Sequence, residues 1–307
     1  MTVGFGQNLT LLAGNVINTG TLSAPGGTIT VASVPGESIV RIAQAGHLLN
    51  LEVAGLDEGA GESVAGVEPL SLPGLLTGEI GSQVATGVEV NAEGQMVLTG
   101  SPTVIPAAEA TTIIAGTLDV SQNLLGVNHV PSVSILGQQV GVIQGTINAS
   151  GVAGGGVIRI GGDLQGNGNL PNAVQTFVSR DSVIKADALE SGNAGTVIIW
   201  AEDSTRFLGN ISAQGGMLQG DGGFVEVSGK QTLDFRGGVN TWAPNGLVGT
   251  LLLDPTDITI QNGAGSFTDL TQVDQFADPN IASLNEWQRL TSCDIIKFER
   301  KFSEIIC

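Results

Sequence analysis

Carboxylates are the most abundant ionisable side chains in this chain. Asp and Glu number 29, against 11 Lys and Arg, two His and two Cys in 307 residues. Hydrolysis of a glycosidic bond needs two carboxylates flanking that bond, and elimination from a sugar acid needs a base together with a cation. Asp163, Asp187, Asp203, Asp221 and Asp234 are the candidate carboxylates, and Arg159, Arg180, Arg206 and Arg236 the candidate cations. The carboxylates fall in different corners and strands, the arginines are widely spaced along the chain, and no spacing marks a converging group. There is no Gly-x-Ser-x-Gly elbow to carry a nucleophile. His47 and His129 flank apolar runs and are expected to be structural. Cys293 and Cys307 have no CxxC or His partner nearby, so no zinc site is expected. The run Gly161-Gly162-Asp163-Leu164-Gln165-Gly166-Asn167-Gly168 resembles a single calcium-roll repeat. Such repeats hold calcium only as consecutive copies, so a turn-forming corner is expected instead. No Gly-Lys-Ser/Thr follows the glycine-rich corners to make a phosphate loop. No catalytic, cofactor-binding or metal-ligating residue is therefore assigned, and the chain is expected not to be an enzyme. A net charge of -18 argues against nucleic acid and anionic membrane surfaces as partners.

The elements around these residues form a repeat. Short β-prone runs follow glycine at Gly156-Val157-Ile158-Arg159-Ile160, Gly195-Thr196-Val197-Ile198-Ile199, Gly223-Phe224-Val225-Glu226-Val227 and Gly249-Thr250-Leu251-Leu252-Leu253. The glycines at 156, 195, 223 and 249 are spaced by 39, 28 and 26 residues. A second marker, Ile147, Ile184, Ile211 and Val239, is spaced by 37, 27 and 28. Two independent markers with nearly the same step define an internal repeat with loop insertions. Each unit carries two or three short strands joined by Gly, Asn, Asp and Gln, and no helix-period segment separates them. A unit this small cannot bury its apolar face alone. Stacked on copies of itself, it pairs its strands in parallel and lines up its Ile, Val and Leu in a column. The expected fold class is all-β, a parallel β-helix. The alternative is a β-sandwich or propeller, but blades of about 40 residues with tight hairpins fit only one of the steps. A narrow core also accounts for an aromatic content of 4% and the absence of Tyr.

The coil is expected over 1–265, with an acidic, Gly/Pro-rich excursion at 51–110 and a non-repeat tail at 266–307. No Lys or Arg occurs between Arg41 and Arg159. A solvated acidic face is expected for 51–110. A calcium-stiffened scaffold is the other reading of it, although no ligand-spacing signature is present. In 288–307, Ile295, Phe298, Phe302 and Ile305 recur at helical spacing, which predicts a short amphipathic helix capping the coil. The competing reading is that this tail lies outside the repeat pattern altogether, as after a reading-frame change or premature stop.

Several motifs carry a family resemblance. Ser191-Gly192-Asn193-Ala194-Gly195-Thr196-Val197-Ile198-Ile199-Trp200-Ala201-Glu202-Asp203 resembles a motif of filamentous haemagglutinin-type exoproteins of the two-partner secretion family, most similar to the cyanobacterial ones. So do Phe207-Leu208-Gly209-Asn210-Ile211-Ser212-Ala213-Gln214-Gly215-Gly216, Gly222-Gly223-Phe224-Val225-Glu226-Val227-Ser228-Gly229-Lys230 and Gly249-Thr250-Leu251-Leu252-Leu253-Asp254-Pro255. The resemblance covers roughly residues 10–265 and is densest over 145–260. It implies a right-handed parallel β-helix, secretion through an outer-membrane transporter, and adhesion at the cell surface to a host or neighbour-cell glycan or protein. The family also carries a signal peptide and a secretion domain with an Asn-Pro-Asn-Gly-type motif. The start of this chain, Met1-Thr2-Val3-Gly4-Phe5-Gly6, has no basic region and no long apolar run, so neither is expected in it. The chain thus looks like an internal segment of such an exoprotein. The expected function is a rigid, non-catalytic rod for attachment, and the alternative is a carbohydrate-active β-helix lyase or hydrolase.

Overall fold

The computed structural model describes residues 1–35, 110–124 and 129–254 in full, together with the backbone of six short strands outside them. Three parallel sheets wrap a single coil. Each of six rungs contributes one strand to each sheet, and Thr250–Leu252 adds a seventh to the long face. The fifth rung is Thr196–Ala201 on a long face, Ser204–Phe207 on a second face and Asn210–Ser212 on a third. The second and third faces have six strands each. The long face has nine, of which the last two, Phe302–Ile306 and Ile295–Glu299, come from the C-terminal tail. The expected parallel β-helix is the fold.

Both sequence markers keep their register. Ile147 pairs with Ile184, Ile184 with Ile211, and Ile211 with Val239 on the third face. On the long face Val157, Thr196, Phe224 and Thr250 stand in one row, each directly after a marker glycine. Strand alternation sends Ile158, Val197, Val225 and Leu251 into the core, where they join Val142, Val178 and Phe207 of the second face. The rings of Phe207 and Phe235 stack at 5.5 Å, the one aromatic pair among the described residues.

The marker glycines serve close approach rather than a left-handed backbone. Positive φ values fall on other glycines, such as Gly161, Gly166 and Gly192. A Cβ at Gly195 would collide with the carbonyl oxygen of Gly156, one at Gly223 with that of Gly195, and one at Gly249 with that of Gly223. Each rung thus rests on the backbone of the rung before it, and any side chain there would wedge the two apart.

Buried hydroxyls reinforce the corner between the long and second faces. Thr112, Thr176 and Thr205 each donate to a main-chain carbonyl one rung on: Leu136 at 2.7 Å, Trp200 at 2.9 Å and Ser228 at 2.7 Å. Satisfying an inward hydroxyl in this way lets a polar residue occupy the core.

That same corner releases both large insertions. Four rungs cross it in two residues, as at Gly137-Gln138 and Glu202-Asp203. In the second rung the chain leaves after Thr28–Ser33 and rejoins at Thr111–Ile114, so the excursion begins before residue 51. Its ends are tied by a 2.9 Å hydrogen bond between the hydroxyls of Thr112 and Ser33. Within the excursion, Ile39–Ile42 pairs antiparallel with Leu51–Ala54, and Val88–Val90 with Met96–Leu98. In the fourth rung the insertion is 161–174, between Val157–Ile160 and Gln175–Val178.

The tail corrects an expectation. Ile295–Glu299 and Phe302–Ile306 are two antiparallel strands, and the second pairs antiparallel with Thr250–Leu252. The spacing that predicts a helix is overridden for two physical reasons. The segment is rich in Ile and Phe, which favour strands, and Thr250–Leu252 offers an edge of unpaired main-chain groups. Residues 255–265, His47, Cys293 and Cys307 lie outside the described residues.

Candidate functional site

The long face directs Thr30, Ser134, Arg159, Ile198, Glu226 and Leu252 outward in a single row. Trp200 and Ser228 stand beside them in the next row. An outward row on such a face is ordinarily wet. Here Ile198, Trp200, Glu226, Ser228 and Leu252 are all buried, although none of the three apolar ones belongs to the interior core. The cover over Trp200 and Glu226 is the 161–174 insertion, which folds back across the face as a strap.

The strap makes its contact through two consecutive left-handed residues, Gln165 (φ 52°) and Gly166 (φ 66°). Gly166 lies so close to the Trp200 indole that a Cβ there would enter the ring. Gln165 is turned so that its N–H donates to both carboxylate oxygens of Glu226, at 3.0 and 3.2 Å. A non-glycine residue in this region of φ/ψ space is held there at a cost of roughly 1–3 kcal/mol, so the surrounding contacts must over-determine it. At the far end of the strap, Asn172 Nδ2 donates to Gly166 O at 2.9 Å and to Glu202 Oε1 at 3.2 Å.

Glu226 is the most perturbed carboxyl among the described residues. Burial pushes it up to about 7, opposed by the hydrogen bonds from Gln165 N–H and the Ser228 hydroxyl and assisted by the charges of Asp254 and Asp163. Asp254 follows the strand Thr250–Leu252, and its N–H reaches Ser228 Oγ at 3.2 Å. Burial raises its carboxyl too, against a hydrogen bond from the Gln165 side chain. At Asp163 burial also raises the carboxyl, but the Leu164 N–H and the Arg159 guanidinium outweigh it and hold Asp163 below its ordinary value. Lys230, 2.7 Å from Glu202 Oε2, is the main reason the Glu202 carboxyl lies below its ordinary range.

Among the described residues, the carboxylates and arginines legible in the sequence meet in two separate ion-paired groups and form no single cluster. Asp163 pairs with Arg159 at 3.0 Å. Asp234 lies between Arg206 at 3.0 Å and Arg236 at 2.7 Å, nearly buried on the second face. Asp187 accepts from the Ser212 hydroxyl and the Gln214 N–H, and Asp221 from the Leu247 N–H. Arg180 and Asp203 are exposed at corners, as is His129. Among the described residues, no group of three or more His, Cys, Asp or Glu side chains could hold a metal ion. The calcium-roll-like stretch is the first half of the strap, and its Asp163 is spent on Leu164 N–H and Arg159.

Sequence reasoning missed Glu226 and Asp254, the two groups whose environment is unusual. One signal was available. The 39-residue step marks a longer insertion in the fourth rung, and the alternation of Phe224-Val225-Glu226-Val227 puts Glu226 outward on the face next to it. No family model matches the chain, and no curated protein matches it.

Proposed function

We propose that the chain is a non-catalytic, rod-like segment of a secreted, adhesin-like exoprotein, which holds its side loops out for attachment to a cell surface. The observation that carries this reading is how the polar groups are used. Asp163, Asp187, Asp221 and Asp234 are each engaged locally, in corners, straps and rung-to-rung bonds. What varies between rungs is the loops, while the stacked faces stay continuous. A rigid stack with variable side loops suits display better than turnover, because any attachment surface must be carried on loops that the scaffold tolerates. The resemblance to filamentous haemagglutinin-type exoproteins points the same way, with a two-partner secretion transporter as the export partner of the full exoprotein. The test is attachment. Fluorescently labelled chain should bind bacterial or host cells saturably and compete with unlabelled chain, and it should scatter X-rays as an elongated particle. Absence of saturable binding to every cell type tried would overturn the reading.

A carbohydrate-active enzyme is the second reading. Its specific support is the Glu226–Asp254 pair, since a carboxyl raised to about 7 suits a general acid. Full burial beneath the strap counts against it. Product release from a panel of plant, algal and bacterial glycans would favour this reading, and silence across the panel would remove it.

A further inference from the structure

We propose that residues 161–174 are a pH-controlled strap, closed over the long face while the buried Glu226 is protonated and released when Glu226 ionises. The geometry has three parts. The strap is an insertion at a corner that four other rungs cross in two residues, so the coil does not need it to close. Its tip is fixed by the Gln165 N–H on the Glu226 carboxyl and by Gly166 against Trp200. The carboxyl that receives it has no exposure and is flanked by further acids.

The charges around the latch all bear on its sign. From the strap, Asp163 faces Glu226, with its own charge partly balanced by Arg159. From the following rung, Asp254 faces it. The neighbours in its row, Ile198 and Leu252, are apolar and offer no counter-charge. The Glu202–Lys230 pair holds the other end of the strap through Asn172. Among the described residues, then, ionisation of Glu226 strengthens the bond from the Gln165 N–H but puts a negative charge in a dry site beside two more, and burial outweighs the bond.

Linkage fixes the direction. With the strap open, Glu226 meets water and titrates near the ordinary 4.5; closed, it titrates at about 7. The closed form binds the proton more tightly, so its advantage is complete below the open-state value and is lost as pH rises through about 7. Between about pH 6 and about pH 8.5 the opening equilibrium should rise roughly tenfold. Opening would bare the Trp200 indole, against which Gly162 and Gly166 of the strap lie.

Hydrogen exchange of the full chain tests this, with rates corrected for the intrinsic effect of pH. Protection of peptides spanning 161–174 should fall roughly tenfold over that range, while peptides from the third face at 183–185 and 210–212 hold steady. Glu226→Gln should flatten the strap's pH response to less than about twofold. Asp254→Asn, which keeps Glu226 and removes one facing charge, should move the midpoint to lower pH. A wild-type strap with no pH response, a full response in Glu226→Gln, or an unmoved midpoint in Asp254→Asn would each overturn the proposal.

Discussion

Gly195, Thr176 and Glu226 do unlike work, and each is set by what the adjacent rungs place against it. Gly195 has room for a hydrogen and nothing larger, since the Gly156 carbonyl occupies the Cβ position. Gly195→Ala should cost about 1–3 kcal/mol or more, because two backbones must separate rather than one side chain turn. Urea unfolding measures it. Thr176 donates its hydroxyl to the Trp200 carbonyl across the rung. Thr176→Val keeps the shape and deletes the bond, and should lower stability by about 0.5–1.5 kcal/mol. A neutral result in the same urea assay would mean the hydroxyl contributes nothing beyond its volume. The identity of these residues is visible in the sequence. Their partners are not, because Thr176 and Trp200 are brought together only when the rungs stack.

At the scale of elements, the repeat markers were the legible part. Ile147, Ile184, Ile211 and Val239 pair in register because an inward apolar column tolerates no slip: a one-residue shift would turn every side chain outward. The C-terminal strands were not legible. A stretch of about ten residues can satisfy a helical and a β pattern at once, and the choice falls to the neighbour. That neighbour is Thr250–Leu252, whose free edge takes Phe302–Ile306. A chain ending at residue 254 leaves that edge bare, so it should self-associate at concentrations where the full chain stays monomeric, as light scattering would report. Equal particle mass for the two chains would show that the tail does not protect the edge.

The described residues form a stack whose rungs contact mainly their neighbours, so stability accumulates rung by rung. The body of the chain is strongly acidic: residues 1–287 carry 7 basic and 26 acidic groups. Self-repulsion on this scale destabilises the compact state and is screened by salt. Raising NaCl from about 20 to about 300 mM at neutral pH should therefore raise the melting temperature. A fall would mean that ion pairs such as Arg206–Asp234 and Asp234–Arg236 outweigh the repulsion.

The sequence by itself determined the period, the strand-forming runs and the inward column, because these follow from local alternation and from a step kept by two independent markers. Only the tertiary structure decided why the marker glycines are glycines, where the strap lies, and that Glu226 is buried beside Asp254. The reason is distance along the chain. Gln165 and Glu226 are 61 residues apart, and a carboxyl's environment is set by what folds over it rather than by what stands next to it in sequence.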